Sequence, residues 1–241
     1  MDYLLLASDL DRKGARAAVA LGPRAAACMH TGCGPSLNQK LWPCEDSAAL
    51  HRLSEGELLA CVADAHWGGA ASEAVARELR PAFERAPASL GPCERLLAAL
   101  VEVERGYLAA AAPDEVSETT ALAVYLAGER AAFASVGDSF LLHLGRRELW
   151  QRNRLGAEFL GRRSLPATPG AVQTGEFRVM RGEVLLLATD GLEPRASGLA
   201  WEESARFLRG PGPLAGRLEA LLARAAADGR DNLALVALEA G

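Results

Sequence analysis

Four short stretches of this 241-residue chain bring acidic side chains to the ends of apolar runs. Leu58–Ala63 stops at Asp64, which is followed by Ala65, His66, Trp67 and two glycines. Val184–Thr189 stops at Asp190-Gly191, and Asp231-Asn232 stands immediately before Leu233–Leu238. Upstream, Glu45-Asp46 precedes a shorter apolar stretch. Carboxylates gathered at strand ends repel one another unless a cation neutralises them. Oxygen donors of this kind suit hard divalent ions, Mg²⁺ or Mn²⁺, rather than zinc. Two such ions about 3.5–4 Å apart can activate a water and hold the oxygens of a phosphoryl group. Taken singly, an Asp-Gly after a strand is an ordinary turn and His66 an ordinary loop histidine. The joint pattern is what points to chemistry.

The elements that must carry these residues are legible as strand-like runs at Leu58–Ala63, Ala121–Ala127, Ala131–Val136, Phe140–Leu144, Val184–Thr189 and Leu233–Leu238. The pair flanking Gly128-Glu129 reads as a hairpin, so part of the sheet is antiparallel. Helical periodicity covers Ser72–Arg80, Glu94–Ala110, Trp201–Leu208 and Leu214–Ala227. In Glu94–Ala110 the residues Leu96, Leu97, Leu100, Val103 and Leu108 form a candidate core stripe. Strands and helices are grouped rather than strictly alternated, which favours antiparallel sheet layers with helices outside. Residues 151–176, rich in Gly, Pro and Arg, read as a long surface loop or flap within a single domain spanning 1–241.

Half the residues are hydrophobic and the net charge is -5, enough for one sizeable core. Acidic and basic residues are mixed along the chain, so no basic patch invites nucleic acid. The apolar run in MDYLLLASDLDRKG is too short for a signal peptide, and no segment reaches membrane-spanning length. Five cysteines, an odd number, suit free thiols in a reducing cytoplasm. Cys28, His30 and Cys33 are not followed by a second ligand pair of the kind a zinc site needs.

Four ordered segments resemble those of the metal-dependent serine/threonine protein phosphatases of the 2C type, the PPM family. VADAHWGGAASE is similar to that family's VxDGHGG and its following helix, and ETTALAVYLAGERAAFASVGDSFLLHL to its GTTA…ANVGDSR hairpin. LLLATDGLEP is similar to LLLxSDGL, and GRDNLALVAL to SxDNxTVVVV. The resemblance runs from about residue 40 to the C-terminus. It implies a four-layer α-β-β-α sandwich, two antiparallel sheets flanked by helices, with metals at one end. It further implies hydrolysis of phosphoserine and phosphothreonine in phosphoprotein targets of a Ser/Thr kinase, by a water bridging two Mn²⁺ or Mg²⁺ ions. Under it, Asp64 is the bridging ligand, Ala65 offers its backbone carbonyl, and Asp190 and Asp231 ligate the first metal. Glu45 and Asp46 match the pair at the second metal, and His66 the proton donor to the leaving alkoxide. Asp138 in Gly137-Asp138-Ser139, with Gly191 and Asn232, matches supporting positions.

The chain departs from that pattern at three places. The phosphate-reading arginine is replaced by Leu41, with Lys40 beside it as a cation lacking the bidentate fork. Asn38-Gln39-Lys40 offers an alternative register to Glu45-Asp46, one that would put a lysine at a ligand position. Ala65 and Trp67 stand where the family has glycines. These departures define a rival reading, a catalytically inactive binding module. A second rival, an aspartyl phosphotransferase, rests on Asp9 and Asp11 after the apolar run Tyr3–Ala7.

Overall fold

A computed structural model of the chain describes residues 1–32, 43–112, 114–161 and 171–241. In chain order the elements are β1 (Asp2–Leu5), β2 (Arg16–Ala20), β3 (Ala25–His30), β4 (Asp46–Ser54), β5 (Glu57–His66), α1 (Ala70–Arg85) and α2 (Pro92–Ala110). They continue with β6 (Glu118–Thr119), β7 (Ala121–Ala127), β8 (Arg130–Val136), β9 (Phe140–Leu144), β10 (Leu149–Gln151) and β11 (Gln173–Arg178). The last are β12 (Val184–Ala188), α3 (Pro194–Ser197), α4 (Trp201–Leu208), α5 (Leu214–Asp228) and β13 (Leu233–Glu239). One sheet runs β1-β4-β5-β7-β8-β11 with β6 added beside β5; the other runs β10-β9-β12-β13-β3-β2. Every strand pair is antiparallel.

Side-chain parity explains why these strands read as unbroken apolar runs. On β5, Ala60 and Val62 enter the core between the sheets, while Leu59, Cys61 and Ala63 meet α1 and α2. On β13, Ala234, Val236 and Leu238 face inward, while Leu233, Leu235 and Ala237 pack with α4 and α5. Both faces of both sheets are covered, and the result is the expected four-layer sandwich. The helix-facing side of the first sheet is rich in alanine (Ala49, Ala63, Ala121, Ala123, Ala132, Ala134), which leaves room for Leu79, Phe83, Leu96 and Leu100. The hairpin at Gly128-Glu129 is present, with Gly128 at φ 56, a left-handed turn position.

Several expectations need correction. Leu97 and Leu108 are exposed, because α2 buries only Leu96, Ala99, Leu100, Val103 and Glu104. Residues 151–176 are not wholly a surface loop. Leu160 is fully buried and bridges to Thr119, and Gln173–Arg178 is a strand of the first sheet. Asn153 is also buried: its Oδ1 accepts from Leu141 N–H at 2.8 Å and its Nδ2 donates to Ser139 O at 2.7 Å. The aspartyl phosphotransferase reading expects strands alternating with helices, and the paired strands here are antiparallel hairpins and meanders instead. Asp9 only closes its own turn, its Oδ2 accepting from Leu6 N–H at 3.0 Å. Among the described residues, no helix is long and apolar enough to cross a membrane.

A polar clamp joins the two sheets where β9, β10 and β11 meet. The buried His143 bonds Glu183 Oε2 through Nε2 at 2.8 Å, and Arg152 Nη2 donates to its Nδ1 at 2.6 Å. Trp150 and Phe177 flank the imidazole, and the Arg152 guanidinium lies over both rings. Because Nδ1 accepts from Arg152, the imidazole is neutral and Nε2–H is the donor. Burial holds its pKa below the ordinary 6.5. The folded value is depressed, so this contribution is present above the ordinary value and lost as pH falls. His143→Gln therefore destabilises the protein by about 1–3 kcal/mol at neutral pH. Urea unfolding of both proteins across pH 5 to 8 should show that deficit shrinking at the acidic end.

Candidate active site

The same parity that builds the core delivers the carboxylates. Asp46 and Asp64 are cross-strand partners on β4 and β5, both buried and continuing the inward-facing series Leu50, Ala48 and Ala60, Val62. Like charges directly opposite one another destabilise a sheet. The second sheet adds Asp190, in a 3-10 turn just after β12, and Asp231, just before β13. One bond stitches the sheets together here. Thr189 Oγ1 donates to Asp46 Oδ2 at 2.7 Å and accepts from Ala234 N–H at 2.9 Å.

Electrostatics describes the cluster more sharply than any single contact. The Asp190 carboxyl is pushed up to about 10, first by burial, then by the charge of Asp64 and a hydrogen bond with it, then by Asp231 and Asp46. Its Oδ1 is sealed from solvent with no hydrogen-bond partner among the described residues. Asp138 is also raised, by burial and by the nearby Asp64 charge, and it lies in the field of His66. It therefore faces the cluster as well as shaping its own turn. Among the described residues no three acidic, histidine or cysteine side chains already form a closed ligand shell. Burial and crowding by Asp64, Asp231 and Asp46 favour the protonated form of the Asp190 carboxyl. The donor set is all oxygen, crowded and partly unsatisfied, and it fits a hard divalent cation.

Glu45 is fixed at both ends. Its Oε1 accepts from Gly68 N–H at 2.7 Å, and its backbone N–H donates to Asn232 Oδ1 at 2.9 Å. Asn232 Nδ2 donates in turn to Thr31 O and Pro43 O, joining the end of β3 to the chain that enters β4. Ala65 is buried, and its N–H donates to Glu45 O at 3.3 Å. His66 pairs with Glu118 across β6 and sets its ring edge-on to Phe159, 4.9 Å between centroids. Glu45, Asp46, Asp64, Ala65, His66, Asp138, Asp190, Asp231 and Asn232 thus belong to one end of the sandwich. Lys40, the alternative register Asn38-Gln39-Lys40 and Leu41 lie outside the described residues.

Hydroxyls brace the site, and of these the sequence pattern marks only Ser139. Asp64 N–H donates to Thr120 Oγ1 at 2.9 Å, and Thr120 Oγ1 meets Ser139 Oγ at 2.8 Å. Ser72 Oγ donates to Glu45 O at 2.6 Å, and Ser117 Oγ to Gly68 O at 2.5 Å. Their only signal was adjacency to the acidic motifs, as in ETTA and ATDG.

The sequence profile of the family described as protein phosphatase 2C matches residues 33–234. No curated protein sequence matches the chain. Solved structures do. A bacterial serine phosphatase is 18% identical, with a TM-score of 0.73 over 90% of this chain and 97% of that one. The catalytic domain of the serine/threonine phosphatase PstP in complex with two manganese ions is 21% identical, with a TM-score of 0.66 over 90% and 97%. An S. agalactiae serine/threonine phosphatase is 17% identical, with a TM-score of 0.70 over 94% and 100%. At these identities the likeness establishes the fold.

Gly191 tests how tightly the cluster is packed. A Cβ added there would lie 2.0 Å from Asn232 O, a backbone atom that cannot swing aside. Gly191→Ala should cost about 1–3 kcal/mol by overpacking. It should also weaken divalent-ion binding, read by thermal melting with and without MnCl₂.

Proposed function

The chain belongs to the protein phosphatase 2C family of phosphoprotein phosphatases, and from that premise we propose that it hydrolyses phosphoserine and phosphothreonine at the carboxylate cluster. The observation that carries this reading is the convergence of Asp46 and Asp64 from one sheet and Asp190 and Asp231 from the other on one end of the sandwich. Asp64 would serve two divalent ions, Asp190 and Asp231 the first and Glu45 and Asp46 the second, with the Ala65 carbonyl as a further donor. The two manganese ions of the PstP structure support a pair of ions here, Mn²⁺ or Mg²⁺. When bound, such ions supply Lewis acidity and a water acidic enough to be a nucleophile at neutral pH.

The chain's own groups do the rest. Thr189 and Gly68 orient Asp46 and Glu45 through uncharged donors, leaving the negative charge in place. Asp190 must release its proton before it can serve as a ligand. His66, adjoining Asp64 and steadied by Phe159, is suited to hand a proton to the alkoxide that leaves serine or threonine. Lys40 is the candidate cation for the substrate phosphate.

The raised Asp190 carboxyl sets the sign of the pH effects. In the metal-free protein its stabilising contribution is complete below the ordinary value of 3.8 and is lost as pH rises towards about 10. Binding of Mn²⁺ at neutral pH should therefore expel about one proton per protein. Calorimetry in buffers of different ionisation enthalpy reads that number directly. Asp190→Asn keeps the shape of the protonated carboxyl without the proton uptake that folding otherwise requires at neutral pH, so it should raise the metal-free melting temperature by about 2–6 °C. The same variant should lose about 10³-fold in turnover of a phosphothreonine peptide, as expected for a lost electrostatic group. Activity indifferent to both EDTA and this substitution would refute the metal mechanism, whereas no turnover and no calorimetric binding of Mn²⁺ at millimolar concentrations would leave the binding-module reading in its place. His66→Asn should lower kcat on the peptide about 10²-fold. On p-nitrophenyl phosphate, whose leaving group needs no proton, the loss should be far smaller.

A further inference from the structure

Trp67 unites two properties that oppose each other. It is the one non-glycine among the described residues with a positive φ, at 65, a conformation in which a bulky side chain is strained. Burial does not compensate, because the residue remains 47% exposed. The backbone is held there from both sides. Gly68 donates to Glu45 Oε1 and accepts from Ser117 Oγ, while His66 is paired with Glu118. Strain that its surroundings enforce gathers at functional sites.

Two other apolar side chains are exposed on segments whose next residue bonds to this end of the sandwich. Val116, 53% exposed, precedes the Ser117 that bonds Gly68. Leu155, 46% exposed, precedes Gly156, whose N–H donates to Gly137 O beside Asp138. Grouped exposed apolar residues mark contact surfaces.

We infer that Trp67, with Val116 and Leu155, forms an apolar rim that binds the residues flanking the phosphorylated side chain. The rim selects phosphopeptides with apolar flanks. The inference rests on the phosphatase reading and names the substrate feature that the site prefers. The occupant is an extended peptide because the rim adjoins His66 and Asp64, where the phosphoryl group of a protein substrate has to arrive with its chain on either side.

The test uses the metal-loaded protein, Trp67→Gly and Trp67→Phe. Glycine adopts the left-handed backbone freely, so the first variant keeps the fold. Two phosphothreonine peptides serve as probes, one with leucine flanks and one with glycine-serine flanks. The ratio of kcat/KM on the leucine-flanked peptide to that on p-nitrophenyl phosphate should fall about tenfold in Trp67→Gly and recover in Trp67→Phe. Calorimetric binding of the leucine-flanked peptide should weaken in parallel, a readout that needs no turnover. Weakened binding in a protein without phosphatase activity would uphold the rim and sink the catalytic reading. An unchanged ratio with unchanged binding would overturn the rim alone. A rise in turnover of all substrates would overturn it too, by making the indole an obstruction. So would a dimer that Trp67→Gly converts to monomer, since a second copy would then cover the rim.

Discussion

Like charges brought together where water has little access are the condition that the rest of this structure answers. Asp46 and Asp64 face each other across β4 and β5, and Asp190 and Asp231 arrive from the opposite sheet. Thr189, Gly68 and Asn232 hydrogen-bond to this end of the sandwich, and none of the three carries a charge. Their bonds orient the acidic residues without neutralising them. Orientation without neutralisation is the state from which a cation gains most. A stability cost is thereby kept in the metal-free protein for the sake of a function.

The scaffold around the cluster is stiff for identifiable reasons. Chains of hydroxyl and amide groups run outward from it, from Asp64 through Thr120 to Ser139 and from Glu45 through Asn232 to β3. Glycines stand where backbones nearly touch. A Cβ on Gly137 would lie 2.6 Å from Thr120, and one on Gly32 would lie 2.7 Å from Asp231 O. These approaches let strand ends from two sheets converge within the reach of short aspartate side chains. Longer ligands would tolerate looser packing, but would also lose more rotamer freedom on binding.

Much of this was legible in the sequence, and the reasons are specific. Long apolar strands such as β5, β7, β12 and β13 announce themselves because both faces are buried. Their termination in Asp64 and Asp190 is legible because a carboxylate is out of place after such a run. The pattern does not mark β1 to β4, β6, β10 or β11 as strands. In β2 and β3 much of the buried surface is alanine, a residue that signals strand formation weakly. Leu97 and Leu108 fit the apolar stripe yet stay exposed, because helical periodicity does not tell which edge of a stripe a neighbour will cover. Thr120 and Thr189 went unassigned because their work depends on a partner 56 or 143 residues away.

The Thr189–Asp46 bond has a consequence for how the chain reaches this state. Its two residues are 143 positions apart and belong to different sheets, so it forms only once those sheets have met face to face. Loop closure over such a span comes late and slowly. Hairpins such as β4–β5 and β7–β8 can zip locally beforehand, with their acidic ends still hydrated. The electrostatic penalty of the site is thus deferred until collapse of the intersheet layer has already supplied the driving force to bear it.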